Sequence, residues 1–369
     1  MYGPDTLEVR EKERRVRDYL RQTGLDYCII GRRDNFAWFT GGGDNTVVMA
    51  SEFGFTLLVI TLQAVYAVAQ TMDGPRVMEE ELAGLGVEPV FLRWYEASRE
   101  EKAAELVRGL GGISDLPIQG ARLAPREIQR LHYPLTAAEI GKCRELGRLT
   151  DSAIRRVADL SRPGMTEREI AAILACTLAE LDAVSDVLLV GSDERIAKFR
   201  HPNPSAKKVE RLLLLHPAAR KWGLHANVTR MVYFGDRVPD EIARKYDAAC
   251  RIEAAAISMC RPGERFSRIL EAEKSVYRET GFADEWRHHF QGGITGYLLA
   301  DPNLCNDPEA EVSLNQAYDW FITITGVKVE ELSINTESGC EVISATGRWP
   351  AKDYGCNGQT FGLPQILLK

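Results

Sequence analysis

Imidazoles and carboxylates are the side chains that move protons near neutral pH. The chain holds six histidines, at 132, 201, 216, 225, 288 and 289, few enough to weigh singly. His201 lies in Phe199-Arg-His-Pro-Asn-Pro204, where flanking prolines stiffen the loop and hold an imidazole with little entropy left to lose, as suits a general acid or base. An exposed loop histidine is the plainer alternative. His216 ends the apolar run Leu212 to Leu215, and Asn227 follows eleven residues later in Gly223-Leu-His-Ala-Asn-Val-Thr-Arg230. Adjacent strands can aim both inward, or the backbone can satisfy both. In His288-His289-Phe-Gln291-Gly292-Gly293-Ile-Thr-Gly, paired imidazoles precede glycines that let backbone approach a ligand. In Gly326-Val-Lys328-Val-Glu330-Glu331, strand alternation puts Lys328 and Glu330 on one face and Glu331 on the other. One acid of this pair is expected to face a cleft, with a solvated strand end as the alternative.

The usual cofactor and nucleophile signatures are missing: there is no GxGxxG, no P-loop, no GxSxG and no HExxH. With 46 Lys+Arg against 53 Asp+Glu over 369 residues, the net charge of -7 argues against nucleic acid as a partner. The longest apolar run, Phe55 to Val68, is too short and too interrupted for the roughly 20 residues of a membrane helix. The charged start, with no apolar h-region, leads to the expectation of a cytoplasmic protein. Eight scattered cysteines (28, 143, 176, 250, 260, 305, 340, 356) never form CxxC and read as free thiols.

These residues must be positioned by two domains. Residues 7 to 23 carry apolar residues at helical spacing, a strand follows at Asp26 to Ile30, and the runs Thr46 to Ala50 and Phe55 to Ile60 continue an alternation that reads as a compact α/β domain. Leu116 to Leu123 suggests its last strand and Pro125 onward a short helix, so the boundary is set at residue 134. From Thr136-Ala-Ala-Glu139, a capping-box spacing, a helix runs to Leu160 and is broken by Arg162-Pro163-Gly164. A second box, Thr166-Glu-Arg-Glu169, restarts it. The phrase returns 99 residues later as Arg261-Pro262-Gly263, again between two helices, Asp240 to Met259 and Phe266 to Thr280. Strand-like segments follow each pair: Asp186 to Val190 and Arg211 to Leu215, then Trp320 to Ile324 and Leu332 to Asn335. Two such halves can close around one cleft.

Taken together, these stretches resemble the creatinase, prolidase and methionine/proline aminopeptidase superfamily. The resemblance implies an α/β (α+β) fold: residues 1–134 as a creatinase-type N-terminal domain, with Asn35-Phe-Ala-Trp-Phe-Thr-Gly41, and 135–369 as a pita-bread catalytic domain with pseudo-two-fold helix–helix–strand repeats. It also implies a homodimer. Metallopeptidases of this superfamily hold two divalent ions with two aspartates, a histidine and two glutamates. Here the positions of the two aspartates read His216 and Asn227, the histidine-bearing turn reads Gln291-Gly292-Gly293, and the Glu-Pro segment reads Trp320-Phe321-Ile322. Only Glu330 matches. One carboxylate cannot neutralise two dications about 3.5–4 Å apart, so neither a dinuclear metal nor any other cofactor is expected. The chain is most similar to an uncharacterised Xaa-Pro-aminopeptidase-like group with HHQGG, ITGxKxED and ARxxGLxxNxTR phrases, from which Phe290 and Glu331 depart.

Creatinase shares the fold and cleaves a carbon–nitrogen bond without metal, using a histidine whose place His201 takes. The resemblance therefore implies a metal-independent hydrolase of a small polar amide, amidine or short peptide. In that reading His201 moves the proton, Glu330 orients a cationic group or water, and His288 or His289 with the Gly292 and Gly293 amides holds an anionic end. His216, Asn227, Arg230, Gln291 and Lys328 complete the substrate contacts, with Arg230 on a carboxylate. Two alternatives stay open. One is a metal-dependent Xaa-Pro aminopeptidase or prolidase keeping one ion on His216, Asn227 and Glu330, and the other is a binding protein that has lost its chemistry.

Overall fold

The computed structural model describes residues 6–301, 307 and 309–369. Cys305 lies outside them, and the seven described cysteines are free thiols. The chain divides into two compact units, Met1–Ala138 and Glu139–Lys369.

The first unit is built on a six-stranded sheet, β1 (Tyr27–Arg32), β2 (Phe53–Thr61), β3 (Val65–Gln70), β4 (Val87–Leu92), β5 (Gly112–Ser114) and β6 (Ala121–Leu123), in the order β4-β3-β2-β1-β5-β6. The central β1 pairs antiparallel to β2 and parallel to β5. Its helices are α1 (Thr6–Thr23), α2 (Arg33–Thr40), the single turn α3 (Gly74–Arg76), α4 (Arg99–Leu106) and α5 (Pro125–Arg130). Asn35 to Phe39 is thus helical, and Gly41 ends α2 in the left-handed region at φ 72°. Thr46 to Ala50, read from its apolar residues as part of the strand succession, forms no strand. Val47, Val48 and Met49 are exposed there.

The second unit places the chemistry. Helices α6 (Ala137–Leu160) and α7 (Glu167–Ala179) precede β7 (Val184–Ser192), α8 (Glu194–Lys198), β8 (Leu212–Lys221), β9 (Leu224–Asn227) and β10 (Arg230–Tyr233). Helices α9 (Asp240–Met259) and α10 (Phe266–Glu279) then precede a 3-10 turn at Glu285–His288 and strands β11 (Gly292–Thr295), β12 (Ala317–Trp320), β13 (Ile322–Ile324), β14 (Val327–Val329), β15 (Leu332–Thr336) and β16 (Gly339–Val342). The chain ends with β17 (Ala351–Cys356), β18 (Gln359–Pro364) and β19 (Leu367–Leu368). One sheet runs β19-β10-β8-β7 with β9 on β8, and another runs β11-β12-β15-β16.

The repeat is geometric as well as verbal. Gly164 and Gly263 adopt φ 91° and 83°, and each donates its amide across 2.9 Å, to Val209 O and Val312 O respectively. Val209 N returns to Met165 O and Val312 N to Glu264 O. Isolated bridges Thr166–Lys208 and Arg265–Glu311 close the two turns identically. The break between each helix pair is therefore a docking point for a distant segment, and glycine is there because only it enters that φ without strain.

Candidate active site

The two halves meet where Thr229, between β9 and β10, bridges Glu330, between β14 and β15, with Thr229 N donating to Glu330 O at 3.1 Å. That bridge brings the end of one sheet against the end of the other. The Glu330 carboxylate then collects three donors on one oxygen: Lys328 Nζ at 2.9 Å, His216 Nδ1 at 2.9 Å and Thr229 Oγ1 at 2.8 Å. Its other oxygen, Oε1, has no hydrogen-bond partner. Burial raises the pKa of this carboxyl, but His216 and Lys328 outweigh it and hold the group well below the usual carboxylate range. For His216, burial and Lys328 prevail over the pull of Glu330, so the imidazole is neutral. A neutral ring facing a carboxylate must donate from Nδ1.

His201 and His289 form the second half of the site. Their Nε2 atoms are 3.1 Å apart, and the rings meet edge to face. His289 Nδ1 contacts Phe290 O, which can only accept, so Nδ1 carries the hydrogen. Burial drives the His289 pKa down to about 4, leaving the ring neutral and its Nε2 bare. His201 Nε2 must then be the donor, and His201 Nδ1 is left with its lone pair. These proton positions are assigned from the hydrogen-bond pattern. Burial and Lys328 also lower the His201 pKa, so that ring is a neutral base near pH 7.

The supports are specific. Pro202 packs against Gly191, where a Cβ would meet Pro202 Cγ at 2.5 Å. Arg200 donates to Glu285 Oε2 at 2.7 Å and Thr325 Oγ1 at 3.0 Å, tying the His201 loop to the 3-10 turn and to the β13–β14 connection. Phe321 lies edge-on to both His289 and Phe290, under the Lys328 ammonium.

Several expected contacts fall elsewhere. His288 is exposed at the end of the 3-10 turn, and it is His289 that meets His201. Arg230 is not available to a substrate: it is fully buried and donates to Asp151, Glu331, Ser344 O and Thr229 O. Gln291 is also committed, accepting from Tyr277 and donating to Trp286 O and His289 O, so it holds the His289 turn rather than a ligand. Gly292 and Gly293 belong to β11, paired with Trp320 and Asp319, so they do not form an anion-binding turn. A Cβ on Gly292 would stand 2.1 Å from Asp319 O, which is why the strands close only over glycine. Asn227 is buried and donates to Leu299 O at 3.0 Å. Its carbonyl oxygen has no hydrogen-bond partner.

Sequence reading missed Thr229 and Asp319. The Trp320–Ile322 segment has no carboxylate, but Asp319 just before it is fully buried with both oxygens lacking hydrogen-bond partners. Burial and the Glu330 charge push its pKa well up against the pull of Lys328 and Asn227, so the surroundings drive the two neighbouring acids in opposite directions. Alternation along the strand, which puts residues 319 and 321 on one face, was the signal that could have found it.

Paired helix–RPG–helix halves closing on a cluster between two sheets define a pita-bread domain. Residues 141–313 match metallopeptidase family M24. A probable dipeptidase PepE of Mycobacterium tuberculosis is 27% identical over 227 residues, covering 59% of this chain and 60% of that relative. Among solved structures, dipeptidase PepE from Mycobacterium ulcerans aligns with TM-score 0.76 at 19% identity, over 99% of this chain and 98% of that one. The Xaa-Pro dipeptidase from Bacillus anthracis aligns with TM-score 0.75 at 17% identity, over 98% and 100%. Over nearly the whole chain the fold is that of these structures, with an α/β N-terminal domain of the kind they carry.

A metallopeptidase family implies metal ions, and the residues present do not fit them. Glu330 already has the Lys328 ammonium as its counterion. Among the described residues, no three His, Cys, Asp or Glu are arranged to hold an ion. Among the described helices, none is long and apolar enough to cross a membrane.

Proposed function

We propose that the protein is a hydrolase of carbon–nitrogen bonds in small polar molecules, short peptides first, that moves protons with His201 and works without a divalent ion. The observation that carries this is the hydrogen bond from His201 Nε2 to His289 Nε2, which leaves His201 Nδ1 as a free base beside Lys328 and Glu330. Water adds to the carbonyl or amidine carbon as Nδ1 takes its proton. The same proton passes to the leaving nitrogen as the carbon–nitrogen bond breaks, giving an amine and either an acid, from an amide or peptide, or an amide, from an amidine. Lys328 meets negative charge developing at the carbon's oxygen or nitrogen, and Glu330 Oε1 accepts from an ammonium or from water. The dipeptidase names of the relatives make dipeptides the first substrates to try.

The test is turnover of a panel of dipeptides, including Xaa-Pro, and of small amides and amidines, with and without chelator. His201→Ala is expected to lower turnover of any substrate found by about 10²–10⁴-fold, and chelator to leave it intact. Activity lost on chelation and restored by Mn, Co or Zn would refute the reading.

A further inference from the structure

Behind His289, a cavity of about 280 Å³ opens between α10 and the β11–β12 pair. We infer that it is a second ligand site, for a small molecule carrying a protonated amine on an apolar, ring-sized body. The walls are Phe266, Leu270, Trp286, Phe290 and Trp320, with Glu273 as the acid among them. Glu273 is fully buried, and neither of its oxygens has a hydrogen-bond partner. A buried carboxyl without a partner keeps the full cost of its desolvation, which a cation in good geometry offsets. Aromatic faces around it favour the same cation. The volume sits at the lower edge of ligand pockets, about 300–1,000 Å³, which limits the guest to one ring or a short aliphatic body.

The cations at the rim do not satisfy Glu273. Lys274 is paired with Glu271 at 2.7 Å and lies over Trp286, and Arg287 faces Asp284 at 3.5 Å. The other titratable groups around Glu273 are Cys260 at the end of α9, Tyr277 one turn along α10, and His289. Burial pushes the Cys260 thiol and the Tyr277 phenol up, and His289 is neutral above about pH 4. None of the three changes charge between pH 6 and 8. Glu273 itself is raised well above the usual carboxylate range by burial, so an arriving ammonium must displace its proton. Affinity therefore rises with pH.

The experiment is calorimetric titration of the full chain with phenethylamine, 2-phenylethanol and phenylacetate, in buffers of different ionisation enthalpy. The amine is expected to bind at least tenfold more tightly than the alcohol or the acid, with release of protons on binding. Glu273→Gln is expected to weaken the amine at least tenfold, leave the alcohol unchanged and abolish proton release. No amine binding, equal binding to Glu273→Gln, or preference for phenylacetate would each overturn the inference. Should Glu273→Gln not fold, the amine-over-alcohol preference and the proton release of the wild type decide it.

Discussion

Lys328 Nζ and Glu330 Oε2 are 2.9 Å apart, with only 5% and 1% of their side chains exposed. An ammonium thus stands beside the carboxylate that the proposed reaction draws on. Removing one member of a buried pair costs about 3–5 kcal/mol because the other charge is left behind. Lys328→Met is expected to lose stability toward the lower end of that range, since His216 and Thr229 still hold Glu330. Urea unfolding measures it, and a loss below about 1 kcal/mol would show the pair to be energetically idle.

The pH dependence of turnover follows from His201. Its pKa lies below the ordinary histidine value, so the base form is complete by neutral pH and the acid limb of the rate profile falls below that value. Lys328 contributes to the depression, so any residual activity of Lys328→Met should show this limb displaced upward. An unmoved limb would assign the titration to another group.

Asp115 makes the first unit sensitive to pH. Buried at the end of β5, it accepts from Gly31 N, Arg32 N and Asn35 Nδ2, yet burial still raises its pKa from 3.8 to about 6. A raised carboxyl stabilises the fold while protonated. Its contribution is complete below the unfolded value and lost as pH rises through the folded one. Relative to Asp115→Asn, the wild type is expected to lose about 3 kcal/mol between about pH 3 and pH 7. Chemical denaturation at several pH values reads the difference directly, and parallel curves would contradict it.

Gly292 is a steric prediction. Because its Cβ would meet backbone at 2.1 Å, Gly292→Ala must part β11 from β12 and is expected to cost about 3 kcal/mol or to prevent folding. Gly141→Ala, in the second turn of α6 where nothing lies within 4 Å of the added Cβ, serves as control and should be neutral or stabilising by about 0.5–1 kcal/mol. Equal thermal shifts in the two variants would discredit the close approach.

Local punctuation was what the sequence made legible. Arg162-Pro163-Gly164 and Arg261-Pro262-Gly263 announced the repeated helix breaks because proline and glycine restrict or free the backbone wherever they stand. Lys328 and Glu330 shared a face because strand alternation is equally local. The failures were long-range. Nothing near Arg230 reveals that Asp151, 79 positions away, and Glu331, 101 away, enclose it. His288 and His289 are indistinguishable until the 3-10 turn ends between them. Thr46 to Ala50 misled because an apolar run without periodicity says nothing about burial.

The Phe290 carbonyl has a reach beyond its own turn. By dictating which His289 nitrogen is protonated, it also dictates, one ring further on, which His201 nitrogen stays bare. The peptide backbone thus sets the polarity of a two-imidazole wire, and a charge arriving at its open end can be shared between both rings along the 3.1 Å Nε2–Nε2 hydrogen bond, with no heavy atom leaving its place.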